Sequence, residues 1–200
     1  MIKANGNIVL EDSEKILMIE KLTSHFKDIL KDMKYDLDDQ QIKETPKRIA
    51  KMWVNELFTG NYEKAPELTV FENTEKINDI VFLGPISVKS TCSHHFIPFI
   101  GNCFIAYIPN EKIVGISKLA RIVKWFMRRP QIQEELVKQI ADYIEEKLNP
   151  KGVAVYIEAQ HLCMTVRGVE ECDSKMKSSA IRGAFNEDAC RKEFFDMIKL

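Results

Sequence analysis

The spacing of apolar residues divides the chain into two stretches of different character. Over residues 12–34, Ile16, Ile19, Leu22, Phe26, Ile29, Leu30 and Met33 recur at intervals of three and four, which predicts an amphipathic helix. A second helix is expected to start at Thr45-Pro46, with Thr45 as N-cap and Pro46 at the first helical position. Ile49, Met52, Trp53 and Leu57 continue its period, and Gly60 can end it. These helices read as an N-terminal helical appendage, residues 1–75. From residue 76 to 200 the pattern changes. Residues 79–90 and 102–108 are rich in Val, Ile, Phe and Tyr and predict strands. Ser117 can cap a helix to about Arg129, with Leu119, Ile122, Val123 and Phe126 on one face. Pro130 breaks it, and Ile132, Leu136, Ile140, Ile144 and Leu148 carry another helix. Asn149-Pro150-Lys151-Gly152 is turn chemistry, after which residues 153–160 and 163–169 read as strands and 187–198 as a short helix. Helices followed by β-β-α-α-β-β predict an α+β fold, an antiparallel sheet with helices on one face.

Composition narrows the function classes. The chain has 200 residues, 45% hydrophobic and 30% charged, an ordinary globular balance rather than that of a disordered chain. Its 29 basic and 30 acidic residues leave a net charge of −1, which excludes a globally basic nucleic-acid binder. No run of 18 apolar residues occurs, so no membrane partner is expected. The opening residues, MIKANGNIVLEDSEK, are too broken for the apolar region of an export signal. The expected location is therefore cytoplasmic, with the five cysteines reduced and available for metal or catalysis.

The chemistry concentrates in two clusters, Cys92-Ser93-His94-His95 and His161-Leu162-Cys163. His161 and Cys163 lie two apart, so on a strand they share a face. Cys92 and His95 lie three apart at a strand end, a spacing that lets one metal ion take both. Thiolate with imidazole is the preferred ligand set of zinc. Five candidate ligands exceed the four of a closed structural site. Three ligands with an open position for water would leave two histidines for proton transfer, a hydrolytic arrangement. Spacing alone leaves open which of His94 and His95 binds the metal. Cys103 alternates with Ile105 and Tyr107 and reads as core. A second feature is cationic charge set against the helix dipole. Lys118 and Arg121 follow the Ser117 start, and Lys47 and Arg48 follow the Thr45 start, where only a nearby anion makes cations favourable. By contrast, Arg128 and Arg129 end a helix, where the dipole favours them. The sum is a zinc-activated water beside polyanion sites, suited to hydrolysing a phosphorylated small molecule.

The sequence resembles the GTP cyclohydrolase I family. The matching stretches are Thr45-Pro46-Lys47-Arg48-Ile49-Ala50-Lys51, Ser90-Thr91-Cys92-Ser93-His94-His95 and Gly115-Ile116-Ser117-Lys118-Leu119-Ala120-Arg121. Arg129-Pro130-Gln131-Ile132-Gln133-Glu134 and His161-Leu162-Cys163-Met164-Thr165-Val166-Arg167-Gly168 follow in the same order. The resemblance implies the tunnelling fold and a homo-oligomer, a decamer of two pentamers with shared active sites. It implies that GTP and water are the substrates. The guanine imidazole ring opens, formate leaves, and 7,8-dihydroneopterin triphosphate forms, the first step toward a pterin, folate or deazapurine.

By position, the resemblance implies that Cys92, His95 and Cys163 bind zinc, with His94 and His161 as the acid–base pair. Glu134 and Gln133 would contact substrate, the carboxylate reading guanine N1–H and its 2-amino group. Ser117 would lie near the ribose and act in the Amadori rearrangement. Lys118, Arg121 and Arg167 would hold the triphosphate, and Arg48 and Lys51 would be lent by a neighbouring subunit. Two departures stand out. Ser93 replaces a Glu common in the family, and Ser174-Lys175-Met176-Lys177-Ser178-Ser179 replaces a Thr/Ser-rich stretch, its lysines reading either as extra phosphate contacts or, the favoured reading, as a solvated loop.

Overall fold

A computed structural model describes residues 1–199, and the chain divides into two compact units, Met1–Lys64 and a second beginning at Ala65. The first unit contains helix α1 (Asp12–Asp32), helix α2 (Thr45–Met52), one π-helical turn (Trp53–Leu57) and the short helix α3 (Thr59–Tyr62). The Glu14 carboxylate accepts the Glu11 N–H at 2.8 Å and closes the start of α1. Phe26 meets Trp53 edge to face at 5.0 Å, joining α1 to the π-turn. Glu44, not Thr45, occupies the cap of α2, so Thr45 is already helical and Pro46 sits buried in the first turn. Gly60 does not end that helix: α2 passes into the π-turn at Trp53, and Gly60 lies inside α3.

The second unit is α+β. It comprises β1 (Val70–Glu72), β2 (Val81–Cys92), β3 (Pro98–Ile108), β4 (Lys112–Val114), α4 (Ile116–Met127), β5 (Pro130–Gln131), α5 (Gln133–Leu148), β6 (Gly152–His161), α6 (Leu162–Thr165), β7 (Met176–Gly183) and α7 (Asp188–Lys199). The main sheet runs β5-β2-β3-β6-β7, with β2, β3, β6 and β7 antiparallel and the two-residue β5 parallel to β2. Strands β1 and β4 form a separate antiparallel pair.

Side-chain alternation sorts the sheet into two faces. Ile86, Val88, Cys103, Ile105, Tyr107, Val153, Val155 and Ile157 pack with Leu119, Ile122 and Val123 of α4 and Leu136, Ile140 and Ile144 of α5. Cys103 is core as expected, and burial pushes its thiol well above the ordinary range. The opposite parity, Ala106, Ile108 and Ala154, meets Phe185 and, from α7, Phe194. Helices therefore cover both faces in part, because the chain returns after β7 to bury the apolar end of the second face. Gly101 allows β3 and β6 to approach: a Cβ there would stand 1.9 Å from the Glu158 carbonyl oxygen.

The fourth strand falls elsewhere than the apolar run at 163–169 predicts. That run forms α6 and a turn through Gly168 at φ +70°, with Val166 and Val169 exposed, because no neighbouring strand receives it. The edge of the sheet is instead β7, which pairs with β6 from Ala159↔Met176 to Gly152↔Gly183. Lys175 and Lys177, expected in a solvated loop, each place Nζ 3.1 Å from a carboxylate oxygen of Glu158.

Candidate active site

Strand pairing brings the two sequence clusters together. Phe99↔His161 is a direct β3–β6 pair, and Cys92 ends β2 beside β3. A tight turn follows Cys92, closed by the Phe96 N–H donating to the Cys92 carbonyl at 2.9 Å, with Phe96 at φ +53°. His94 and His95 stand exposed on that turn. Cys163 reaches the site from α6 rather than from a strand, so the predicted shared strand face is replaced by a helical turn that brings its thiol back toward Cys92.

One ligand atom each from Cys92, His161 and Cys163 lies within 4.8 Å of the others. Burial, and next the adjacent Cys92 thiol, raise Cys163 above the ordinary thiol value. Two thiols so placed oppose each other's ionisation until a divalent cation lies between them, and this donor set suits a soft metal such as zinc. The group can hold a metal ion. His95 lies outside it, with Nε2 at 3.2 Å from Arg167 Nη1. Burial holds the His161 imidazole below its ordinary value, while the nearby Glu134 carboxylate pulls the other way.

His161 is held on two sides. Its ring stacks on Phe99 with centroids 4.6 Å apart and planes 9° from parallel. Its Nε2 is 3.0 Å from Gln133 Oε1. Gln133, expected among the substrate contacts, is fully buried, and Ile157 O, Met176 O and Ser178 Oγ share the two N–H donors of its Nε2. Its neighbour Glu134 is exposed in the first turn of α5.

Helix α4 starts earlier than predicted. Gly115 is its N-cap and Ser117 lies exposed inside the first turn, because the Gly115 carbonyl already accepts the Lys118 N–H at 2.8 Å. No acidic residue occupies that first turn, so Lys118 and, one turn on, Arg121 keep an anion-attracting character. Arg167 is exposed in the segment after α6. In the first unit, Arg48 and Lys51 are both exposed on α2, whose first turn also lacks an acid. Arg129, expected as a helix-end cation favoured by the dipole, is only 4% exposed. Its guanidinium carbon lies 3.9 Å from the Trp125 ring centroid, and burial lowers its pKa to about 10. The one sequence signal for this packing is a Trp four residues upstream.

The α+β fold thus gathers two thiols and an imidazole in a group that can hold a metal ion, with the Glu134 carboxylate near the imidazole. The chain belongs to the GTP cyclohydrolase I family, whose sequence pattern it matches over residues 22–199. Similar proteins include GTP cyclohydrolase 1 of Flavobacterium johnsoniae, 40% identical over 96% of this chain and 85% of that one. GTP cyclohydrolase 1 of Wigglesworthia glossinidia brevipalpis is 41% identical over 88% of this chain and 82% of that one. The protein of that name from Shewanella sp. (strain ANA-3) is 42% identical over 90% of this chain and 84% of that one. Among the described residues, no helix is long and apolar enough to cross a membrane.

Proposed function

We propose that this protein is a GTP cyclohydrolase that hydrolyses GTP at guanine C8, releases formate and yields 7,8-dihydroneopterin triphosphate. The observation that carries this reading is the convergence of Cys92, His161 and Cys163 beside Glu134, in a chain of this family. The Glu134 carboxylate can accept from guanine N1–H and the 2-amino group together, a pair that adenine does not offer. Lys118, Arg121 and Arg167 hold the triphosphate, and Arg48 and Lys51 reach it from a neighbouring subunit. Ser117 serves the ribose during the rearrangement.

Cys92, Cys163 and His95 would hold a zinc ion, which when bound supplies Lewis acidity and a nucleophilic water at neutral pH. His94 and His161 move protons: one delivers a proton to the purine nitrogen as the C8–N bond breaks, and the other assists ring opening. The β-β-α-α-β-β order supports a tunnelling fold. Ile16, Leu17 and Ile29 of α1 and Met33 at its C-cap are exposed, and these apolar side chains support association into a homo-oligomer, a decamer of two pentamers. The reaction belongs in the cytoplasm, where reduced thiols persist.

One observation favours a second ligand set. His161, not His95, shares the 4.8 Å group with the two cysteines, which would make His161 the third ligand. The test of the function is formate release from GTP by zinc-loaded protein, with mass analysis of the second product. Formate in equal amount to dihydroneopterin triphosphate establishes the reaction. Folded, zinc-loaded protein that releases none refutes it.

A further inference from the structure

Gln133 does not face open solvent, and the chemistry of its surroundings fixes which way its amide points. Ile157 O and Met176 O are carbonyl oxygens and can only accept, at 3.0 and 3.1 Å from Gln133 Nε2. Turning the amide over would set Oε1 against two carbonyl oxygens that can only accept, leaving all three without a donor there. The observed orientation is therefore the one the interior enforces, with Ser178 Oγ at 2.9 Å sharing the same two N–H donors. Gln133 Oε1 is left to accept, and its partner at 3.0 Å is His161 Nε2. A nitrogen donating to that oxygen must carry a proton. In a neutral imidazole the other ring nitrogen, Nδ1, then holds the lone pair.

We infer that Gln133 is a positioning residue that locks His161 in the Nε2–H tautomer, leaving Nδ1 as the ring's basic nitrogen. Phe99 completes the device by stacking on the ring and fixing its plane. The inference rests on the reading of His161 as a working group of the site, and holds whether Nδ1 takes a proton or a metal ion. It also links β7 to the chemistry, because two of the three oxygens that orient Gln133, those of Met176 and Ser178, belong to that edge strand.

The experiment is histidine ¹⁵N NMR of reduced, metal-free full-length protein, with the His161 resonances assigned by their absence from His161→Ala. The expected spectrum shows a protonated Nε2 and an unprotonated Nδ1 for His161. A wild-type ring with the proton on Nδ1 overturns the inference, and needs no further variant to fold. Gln133→Met keeps the side-chain length and removes both polar groups. It is expected to give His161 mixed tautomers, with kcat for formate release down roughly tenfold or more and KM for GTP within about twofold. A raised KM with unchanged kcat makes Gln133 a substrate contact instead, and an unchanged tautomer overturns the lock. Because the spectrum requires no turnover of GTP, the inference and the proposed activity fail separately.

Discussion

Cys92, Phe99 and Gln133 are 4%, 0% and 0% exposed and sit on strands or at a helix start within the sheet's covered layer, whereas His94, His95, Ser117, Arg121, Glu134 and Arg167 stand exposed on turns and first helical turns. The buried side of the site is held by neighbours whose positions the core dictates. His161 bridges the two, half-buried, stacked on one buried side chain and hydrogen-bonded to another. The difference separates two kinds of work. Of the groups proposed to bind metal or move protons, Cys92, His161 and Cys163 are held among buried neighbours, whereas His94 and His95 stand on the exposed turn. The groups proposed to pair with the triphosphate can adjust to a flexible ligand at the cost of ordering them on binding.

The strongest way to break this division is His161→Ala. Turnover should fall by about 10²–10⁴-fold, the range of a lost acid–base group, while bound zinc per chain stays at the wild-type ratio. Zinc lost from a variant that remains folded would make His161 a ligand and move the acid–base role elsewhere. Next comes the support beneath the buried side. Ile140 of α5 is fully buried, and Ile140→Ala should cost about 2–5 kcal/mol in urea unfolding. Arg121→Ala, on an exposed position of α4, should stay within about 0.5 kcal/mol. Equal losses would show that the rim is as rigidly built as the interior. Arg167→Ala probes charge pairing at the rim. KM for GTP should rise about 10–100-fold with kcat changed little, as for a lost charge-assisted hydrogen bond. A fall in kcat at unchanged KM would place Arg167 with the bond-making groups.

Much of the fold was legible because one face of each strand is buried by helices of matching period. Cys103, Ile105 and Tyr107 share a face in sequence and in space, and the apolar stripes of α4 and α5 are the ones that cover it. The clusters around Cys92 and Cys163 stand out in the sequence because thiols and imidazoles recur there at short spacing, and the fold brings Cys92, His161 and Cys163 together. The edge strand was not. Residues 163–169 have the stronger β-propensity, but Val166 and Val169 stay exposed outside the sheet, and a register with β6 selects Met176–Gly183 with only Ala180 buried. Gln133 was legible only as part of a motif. Its role depends on carbonyls of β6 and β7, 24 and 43 residues away, and no local pattern encodes them. Arg129 differs, since its stacking partner Trp125 is local, but a helix-end position does not by itself announce burial.

The smallest expected effect lies away from both sides of the site, at the ion pairs that replace the expected solvated loop. Hydrogen bonds from Lys175 and Lys177 hold the Glu158 carboxyl below its ordinary value of 4.5. A carboxylate depressed in the folded state stabilises the fold above its unfolded pKa, and that contribution disappears as pH falls through the folded value. Glu158→Gln should therefore lower stability only slightly at pH 7, since exposed pairs contribute about 1 kcal/mol or less. The gap between variant and wild type should close on acidification below about pH 4. Urea midpoints of the two proteins across that range measure it. A gap that persists at low pH would trace the loss to packing rather than charge. Unchanged KM for GTP in the same variant would keep these lysines out of the triphosphate site, whereas a raised KM would extend the rim to β7.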